Sequence, residues 1–206
     1  MRIALIGGGG LAKEAAEIAI LNGYEVAGYF SDEANTDRWA YLGSLSDALR
    51  LNQNFLFSFC IGATNLEGMK RRRSFIDYFL LSGLKFINLI SPYAVTSEGV
   101  KFGVGVIVAH RAVLSVDSFV GDFCLVNTGA VVGHDAYLGQ NSIMAPLSFL
   151  GGGARIDSDV LVAPNASVLE GRSVGARSII GTSATVFRDI KEDSILMPVV
   201  TKTMKF

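Results

Sequence analysis

A period of six residues dominates the second half of the sequence. From Phe102 onward an aliphatic or aromatic residue occupies every sixth position for fifteen consecutive repeats: Phe102, Val108, Leu114, Val120, Val126, Val132, Leu138, Met144, Leu150, Ile156, Val162, Val168, Val174, Ile180 and Val186. An α-helix repeats every 3.6 residues and an ordinary strand every two, so neither produces this pattern. A period of six is typical of a hexapeptide β-helix, in which short strands coil around a shared interior.

Two other positions of the hexad indicate how the coil closes. The residue four places after the large one is mostly small, as at Ala112, Ala130 and Ser142. Glycine often follows the large residue, as at Gly103 and Gly133, and we interpret it as a turn residue with permissive dihedral angles. Three hexads would complete one triangular coil. The repeat therefore predicts about five coils, each stabilised by its neighbours.

The first 90 residues follow a different pattern, in which strands alternate with helices. We predict strands over residues 2–6, 24–30, 54–61 and 84–90, and helices over residues 11–21, 46–51 and 66–81, the second of them with Ser46 as N-cap. This alternation is typical of a parallel sheet with right-handed crossovers. We therefore predict an α/β half-Rossmann domain over residues 1–88, a parallel β-helix over 89–192 and a C-terminal tail over 193–206.

Composition excludes several classes of protein. The 206 residues are 50% hydrophobic and 18% charged, with a net charge of −1, which argues against a nucleic-acid-binding protein. The basic run at residues 70–73 is interpreted as a solvated helix face. No stretch approaches the roughly 18 apolar residues of a membrane helix, and the short apolar N-terminus is interpreted as a strand and not a signal peptide. We expect a cytoplasmic protein without membrane insertion.

A glycine-rich loop follows the first strand and opens the first helix; it consists of Gly7, Gly8, Gly9 and Gly10. Its N–H groups and the helix N-terminus can hold a phosphate. Asp32 and Gly62 follow the second and third strands, so both belong to the same edge of the sheet. The loop fits a dinucleotide fingerprint loosely, which leaves a nicotinamide oxidoreductase as an alternative. The domain is short for that fold, so binding of a nucleotide-sugar diphosphate is the better interpretation.

Two histidines, His110 and His134, occupy the third position of a hexad, which should be an outward-facing corner. Histidine accepts protons near neutral pH and is a common general base. Arg111 beside His110 disfavours imidazolium, whereas Asp135 beside His134 could orient the ring and stabilise its protonated form. The sequence therefore favours His134 as a general base partnered by Asp135, and His110 as a solvated corner residue.

Two segments carry a resemblance to a known family. Residues 126–139, VNTGAVVGHDAYLG, and residues 7–19, GGGGLAKEAAEIA, resemble left-handed β-helix acyltransferases, in the branch that contains sialic-acid O-acetyltransferases and nucleotide-aminosugar N-acetyltransferases. The resemblance implies a left-handed coil, acetyl-CoA as co-substrate and no metal. It also implies a homotrimer, with the thioester bound in a groove between adjacent subunits.

The same resemblance assigns further residues. It implies that Asn127 lies near the acceptor sugar and that Gly152 lets the pantetheine arm of acetyl-CoA approach the backbone. Relatives often place a histidine that contacts acetyl-CoA where this chain has Ile143, and another after the glycines where it has Leu11. The donor and diphosphate contacts of this chain therefore differ from the family pattern.

The expected activity is acetyl transfer from acetyl-CoA to the amine of a nucleotide-linked amino-deoxysugar of a bacterial surface glycan. The nearest alternative is an O-acetyltransferase that acts on a sugar hydroxyl, sialic acid included, since the same base would serve both reactions. A non-catalytic nucleotide-binding solenoid is an alternative of another class. It would bind no CoA and would tolerate the loss of His134.

Overall fold

The computed structural model describes residues 1–34, 38–51 and 54–198. Its N-terminal α/β domain contains β1 (Arg2–Ile6), α1 (Gly10–Leu21), β2 (Glu25–Phe30), β3 (Tyr41–Gly43), α2 (Asp47–Arg50), β4 (Leu56–Phe59) and α3 (Leu66–Leu81). A parallel β-solenoid follows, so the predicted combination of an α/β domain and a β-helix is confirmed. Of the expected C-terminal tail, residues 199–206 lie outside the described residues.

The α/β domain is built on a parallel four-stranded sheet with the order β3-β2-β1-β4. Side chains of β1 alternate between two cores, because successive residues of a strand point to opposite faces. Ile3 and Leu5 pack with α1, while Ala4 and Ile6 pack with α3. The strand order reverses at β1, between β2 and β4. A crevice for a ligand is expected at the carboxyl ends of strands at such a point.

Three local predictions for this domain differ from the structure. Strand β3 was not predicted, and the fourth predicted strand is wrong. Phe86 makes only an isolated bridge with Phe57, and the last residues of that segment belong to the solenoid. Ser46 precedes α2 but makes no side-chain capping hydrogen bond, because its backbone is already helical. Instead the Asp47 carboxylate accepts hydrogen bonds from the backbone N–H and the hydroxyl of Ser44.

The solenoid has three faces of short parallel strands. Its strands are β5 (Leu89–Ile90), β6 (Val95–Thr96), β7 (Lys101–Phe102), β8 (Ile107–Val108), β9 (Val113–Leu114), β10 (Phe119–Val120), β11 (Leu125–Val126), β12 (Val131–Val132), β13 (Tyr137–Leu138), β14 (Ile143–Met144), β15 (Phe149–Leu150), β16 (Arg155–Ile156), β17 (Leu161–Val162), β18 (Ser167–Val168), β19 (Ser173–Val174), β20 (Ile179–Ile180), β21 (Thr185–Val186) and β22 (Ile195–Leu196). Face 1 runs from β5 to β22, face 2 from β6 to β21 and face 3 from β7 to β19, each taking every third strand until β22 joins β20. They make about six turns, more than the five predicted, because β5, β6 and β22 lie outside the regular repeat.

The interior of the solenoid is filled by the residues that the repeat identified. The second residue of each strand points inward, as Val108, Val126 and Met144 do on face 1, and these side chains are fully buried. The small residues before the strands, such as Ala112 and Ala130, are also fully buried. The large and small positions of the hexad therefore fill one continuous core.

The predicted role of the recurring glycines is wrong. Gly121, Gly133 and Gly151 do not have positive φ; a Cβ on them would lie 2.5–2.8 Å from backbone atoms of the next coil. These glycines permit close stacking of coils. The left-handed backbone occurs three residues after the large position instead, as at Arg111 (φ 60°) and Asp135 (φ 56°).

The α/β domain docks on face 1. The outward-pointing residues Ile107, Leu125, Ile143 and Leu161 pack in one cluster with α1. At the edge of this contact, Phe123 of the solenoid meets Phe59 at 5.9 Å between ring centroids. Burial of these apolar groups fixes the position of the glycine-rich loop relative to the solenoid.

Arg72 on α3 joins the two domains and corrects the prediction of a solvated basic face. Its side chain is buried, with 1% exposure. Its guanidinium donates to Asn141 Oδ1 at 2.8 Å and to the backbone carbonyls of Ile61 and Phe123, and it lies 4.9 Å from the centroid of the Phe59 ring. Burial lowers the pKa of Arg72 to about 10, so the group keeps its charge at neutral pH.

No helix within the described ranges is long and apolar enough to cross a membrane.

Candidate active site

The glycine-rich loop forms one wall of a hollow of about 590 Å³ at the carboxyl edge of the sheet, here called the loop hollow. It contains the predicted residues Gly7, Gly8, Gly9, Gly10, Asp32 and Gly62. The structure therefore brings together every residue that the sequence assigned to nucleotide binding. It adds Ser31, Glu33, Gly68 and Arg71, which sequence reasoning missed.

The glycines of this loop differ in whether the structure has room for a side chain in their place. Gly7 has a φ of 110°, and a Cβ on it would lie 2.9 Å from the carbonyl oxygen of Cys60. A Cβ on Gly9 or Gly10 would meet no atom within 4 Å. Gly7 is therefore required by the fold, whereas Gly9 and Gly10 leave open space at the N-terminus of α1. A helix N-terminus with open space in front of it can hold an anion.

Arg71 was missed because the sequence gives no sign of which way each residue of the basic run points. On α3 it faces the loop hollow, with Nη2 3.7 Å from Asp32 Oδ2. Its guanidinium also lies 5.3 Å from the centroid of the Phe75 ring, one turn further along the helix. The Asn65 side chain caps this helix by accepting a hydrogen bond from Gly68 N at 2.8 Å.

A second hollow, here called the interdomain groove, lies between α1 and face 1 and measures about 620 Å³. It shares Gly10 and Gly62 with the loop hollow and is also lined by Glu14, Asn127 and Ile143. The Asn127 side chain accepts a hydrogen bond from Thr128 N at 2.7 Å. Ile143, which the resemblance placed near acetyl-CoA, is 2% exposed and packs toward the α/β domain.

The predicted histidine–carboxylate pair lies at another corner, between faces 2 and 3. His134 Nδ1 is 2.8 Å from Asp135 Oδ2, and the two side chains are 62% and 67% exposed. A carboxylate only accepts hydrogen bonds, so Nδ1 carries the proton and Nε2 presents its lone pair. The left-handed backbone of Asp135 forms the corner, and its N–H donates to the Val116 carbonyl at 3.0 Å.

The charges around His134 favour its protonated form. The hydrogen bond that His134 donates to Asp135 raises the pKa of His134; desolvation opposes this, and the charges of Asp135 and Glu170 add to it. A base needs its neutral form to accept a proton. The acidic neighbours therefore strengthen His134 as a base while requiring a higher pH for its free form.

Gly152 lies directly under the imidazole, one coil beyond His134. A Cβ on Gly152 would be 2.4 Å from His134 Nε2 and 2.6 Å from Cε1. Because Gly152 has no side chain, the His134 ring can occupy this position, and its Nε2 stays accessible. The expected approach of pantetheine to Gly152 stays a prediction, and the structure supplies a second reason for glycine there.

We expect Gly152→Ala to lower kcat by roughly 10²-fold, because displacing a catalytic group by about 1 Å has effects of that size. Steady-state kinetics and thermal unfolding of the same preparation measure this. Gly153→Ala is the matched control: it has a φ of 63° and no atom within 4 Å of an added Cβ, so it should cost stability without moving the ring. Equal activity of wild type and Gly152→Ala would contradict the positioning role.

His110 differs from the predicted solvated corner residue. Its Nδ1 is 2.5 Å from the Ser91 hydroxyl, and its ring packs against Tyr93 with 5.5 Å between centroids. Its Nε2 lies 3.9 Å from a carboxylate oxygen of Glu17 on α1, and its side chain is half-buried. These contacts tie the start of the solenoid to the α/β domain.

The predicted site residues form two groups within one chain. The loop hollow and the interdomain groove contain the residues assigned to the nucleotide and the sugar, together with Ile143. His134, Asp135 and Gly152 line neither hollow and occupy the far edge of face 2. A complete site for transfer would need both groups to meet at one substrate.

Comparisons with known proteins agree with this arrangement of domains. Residues 2–74 match the PglD N-terminal domain family. Comparison of the sequence with curated proteins gives no match.

Solved structures resemble the whole chain. A perosamine N-acetyltransferase from Caulobacter crescentus, PerB, solved with CoA and GDP-perosamine, is 29% identical with a TM-score of 0.87, covering 95% of this chain and 93% of that chain. The acetyltransferase domain of PglB from Neisseria gonorrhoeae, solved with acetyl-CoA, is 26% identical with a TM-score of 0.86, covering 94% of each chain. WeeI from Acinetobacter baumannii is 15% identical with a TM-score of 0.68 and supports the fold alone.

Proposed function

We propose that this chain, an acyltransferase of the left-handed β-helix type and of its nucleotide-aminosugar branch, moves the acetyl group of acetyl-CoA to the amine of a nucleotide-linked amino-deoxysugar. The observation that carries the proposal is the pairing of a glycine-lined hollow with an exposed histidine–carboxylate pair in one chain. The likeness to PerB, whose structure holds CoA and GDP-perosamine, supports it. The product would enter a bacterial surface glycan.

The chemistry follows from the free nitrogen of His134. The neutral amine of the sugar attacks the thioester carbonyl, and a C–N bond forms as the C–S bond breaks. The attacking nitrogen loses its excess proton to His134 Nε2, and CoA leaves as the thiolate. Asp135 holds the ring through Nδ1 and stabilises the imidazolium that results.

The corner beside His134 suits the acyl donor. Gly152 is half-buried at this corner, and Phe149 and Leu169 present exposed apolar surface close to it. An extended pantetheine arm needs apolar contact of this kind beside the base. In this proposal acetyl-CoA binds along this corner with its thioester next to His134 Nε2. Because acetyl-CoA is the donor, the reaction belongs in the cytoplasm.

Face 2 provides the argument for an oligomer. Face 1 is covered by the α/β domain, whereas face 2 presents Val95, Val113, Val131 and Phe149 outward in one column. Leu147 and Phe187 are exposed at the edges of the same face. An apolar surface of this kind is typical of a protein interface. We propose a homotrimer in which the nucleotide-sugar held by one chain meets His134 of a second.

We expect sedimentation equilibrium to give three times the mass of one chain. Phe149→Glu, which places a charge in the apolar column, should shift the protein toward monomer and lower its activity with it, because the two halves of the site would separate. Lys101→Glu, at the start of face 3, is the control and should leave the mass unchanged. A monomeric wild type with full activity would contradict the shared site.

The activity itself is tested with paired acceptors. Nucleotide-linked sugars that differ only in bearing an amine or a hydroxyl at one carbon are incubated with acetyl-CoA, and release of the CoA thiol is followed. The proposal expects turnover of the amine and none of the hydroxyl counterpart. The reverse result would favour the O-acetyltransferase alternative, and turnover of neither with any nucleotide would reject the proposal.

Gly10→Ala separates ligand binding from folding in the loop hollow. Since Gly10 begins α1 and an added Cβ meets no atom, alanine should leave thermal stability unchanged or raise it by up to about 1 kcal/mol. The same Cβ would occupy the space assigned to the diphosphate, so we expect about a tenfold weaker affinity for a nucleoside diphosphate, measured by calorimetry. Affinity for CoA in the same variant is the control. Unchanged nucleotide affinity would place the diphosphate elsewhere.

A further inference from the structure

We propose that Arg71 is the diphosphate-binding residue of the loop hollow and sets its preference for nucleoside diphosphates over nucleosides. This inference rests on the proposed function and adds to it a residue that neither the sequence pattern nor the glycine fingerprint identified.

The loop hollow is lined by charged residues of both signs. Among its lining residues in the described chain, Asp32 and Glu33 are acidic and Arg71 is the one cation. A nucleoside diphosphate brings further negative charge into this space. The N-terminus of α1 attracts a phosphate, but the two carboxylates repel it. Arg71 reduces the formal charge of this lining from −2 to −1, and without it the two carboxylates would face the ligand with no cation beside them in the lining.

The position of Arg71 allows it to reach a ligand. Its contact with Asp32 is long, at 3.7 Å, and the two side chains are 64% and 62% exposed. Exposed pairs of this kind hold weakly, so the guanidinium can turn toward a phosphate at little cost. Phe75, under the guanidinium at 5.3 Å, supports it from the helix side.

The chemistry of the side chain suits this partner. A guanidinium presents parallel N–H donors that match two oxygens of a phosphate, which a lysine ammonium does not. Once Arg71 binds the diphosphate, the Asp32 carboxylate is left free to accept hydrogen bonds from the ribose or the base. The ion pair between them therefore holds both groups near their proposed ligand positions before it binds.

Calorimetric titration with UDP, GDP, uridine and guanosine tests the proposal. We expect Arg71→Met to raise the Kd of the diphosphate that wild type binds by about 10- to 100-fold, and Arg71→Lys to fall between. The Kd of the matching nucleoside should not change. Lys70→Met is the control, because Lys70 lines a different groove on the other side of α3, with Asp159 and Asp193.

Two results would overturn the role of Arg71 while leaving the proposed function intact. One is an unchanged diphosphate Kd in Arg71→Met with wild-type acetyl transfer. The other is an equal loss of diphosphate and nucleoside binding, which would mean that Arg71 contacts the base. If wild type bound neither diphosphate and transferred no acetyl group, both the proposed function and the role of Arg71 would be rejected.

Discussion

Replacing His134 with alanine should lower kcat for acetyl transfer by roughly 10²- to 10⁴-fold, the range by which general bases accelerate reactions. The reason is that Nε2 is the free nitrogen of a ring already held through Nδ1 by Asp135 at 2.8 Å. Both side chains are well exposed, so the substitution should leave the fold intact. Steady-state kinetics with saturating acetyl-CoA measure the effect, and nucleotide affinity should stay at the wild-type value.

His110→Ala is the matched control, since it removes the other histidine of the solenoid. Its ring contacts Ser91 and Glu17 instead of an open corner, so its loss should cost some stability and leave kcat near wild type. Wild-type kcat in His134→Ala would end the assignment of the general base. A larger loss in His110→Ala than in His134→Ala would reverse it.

The pH profile of Asp135→Asn supplies a second readout. Asp135 raises the pKa of His134, and the base works only when neutral, so wild-type activity should fall as the pH drops through that raised pKa. Removal of the carboxylate charge lowers the pKa of His134, which moves the acidic limb of the profile to lower pH. The plateau should be lower too, because a weaker base accepts the proton less readily. An acidic limb that stays in place would show that Asp135 does not act through His134.

Arg72→Met should destabilise the protein by about 3–5 kcal/mol, the largest stability effect that we expect of any single substitution here. The variant removes a buried guanidinium that donates to two backbone carbonyls and to Asn141. The Asn141 amide oxygen and the Phe123 carbonyl would stay buried without a donor, the half-buried Ile61 carbonyl would lose its partner, and the apolar methionine cannot replace the guanidinium. In thermal unfolding this corresponds to a fall in Tm of roughly 10 °C.

The neighbouring Lys70→Met serves as the control for Arg72→Met. Lys70 is exposed on the same helix, so its loss should change the free energy of unfolding by less than about 0.5 kcal/mol. Arg72→Met should also weaken nucleotide binding, because Ile61, whose carbonyl Arg72 holds, lines the loop hollow. A Tm within 2 °C of wild type, about the effect of a single exposed contact, would contradict the account of Arg72.

The sequence by itself determined the architecture. The period of six identified the solenoid, because a large inward-pointing residue recurs once in every hexad, and this repeat is typical of a hexapeptide β-helix. The alternation of strands and helices identified the α/β domain, and the glycines after β1 identified the loop hollow. His134 was separated from His110 by its neighbour Asp135, a contact between adjacent residues that needs no fold to be seen.

Only the tertiary structure decided what depends on contacts between distant parts of the chain. The sequence does not show which way each of the four cations at residues 70–73 points, yet helix geometry and docking on face 1 bury Arg72 against Phe123 and turn Arg71 toward Asp32. The strand predicted over residues 84–90 was lost because its last two residues pair with the solenoid.

Contacts between distant parts of the chain also explain the role of the recurring glycines and the separation of the two groups of site residues. Coils stack at a spacing of 18 residues, so Gly133 lies against the backbone of Gly151, and Gly152 lies under the His134 ring. Periodicity gives the length of a coil but not which face the α/β domain covers. The apolar contacts of face 1 determine which face is covered. They place Asn127 beside the glycine-rich loop and leave His134 at the far edge of face 2.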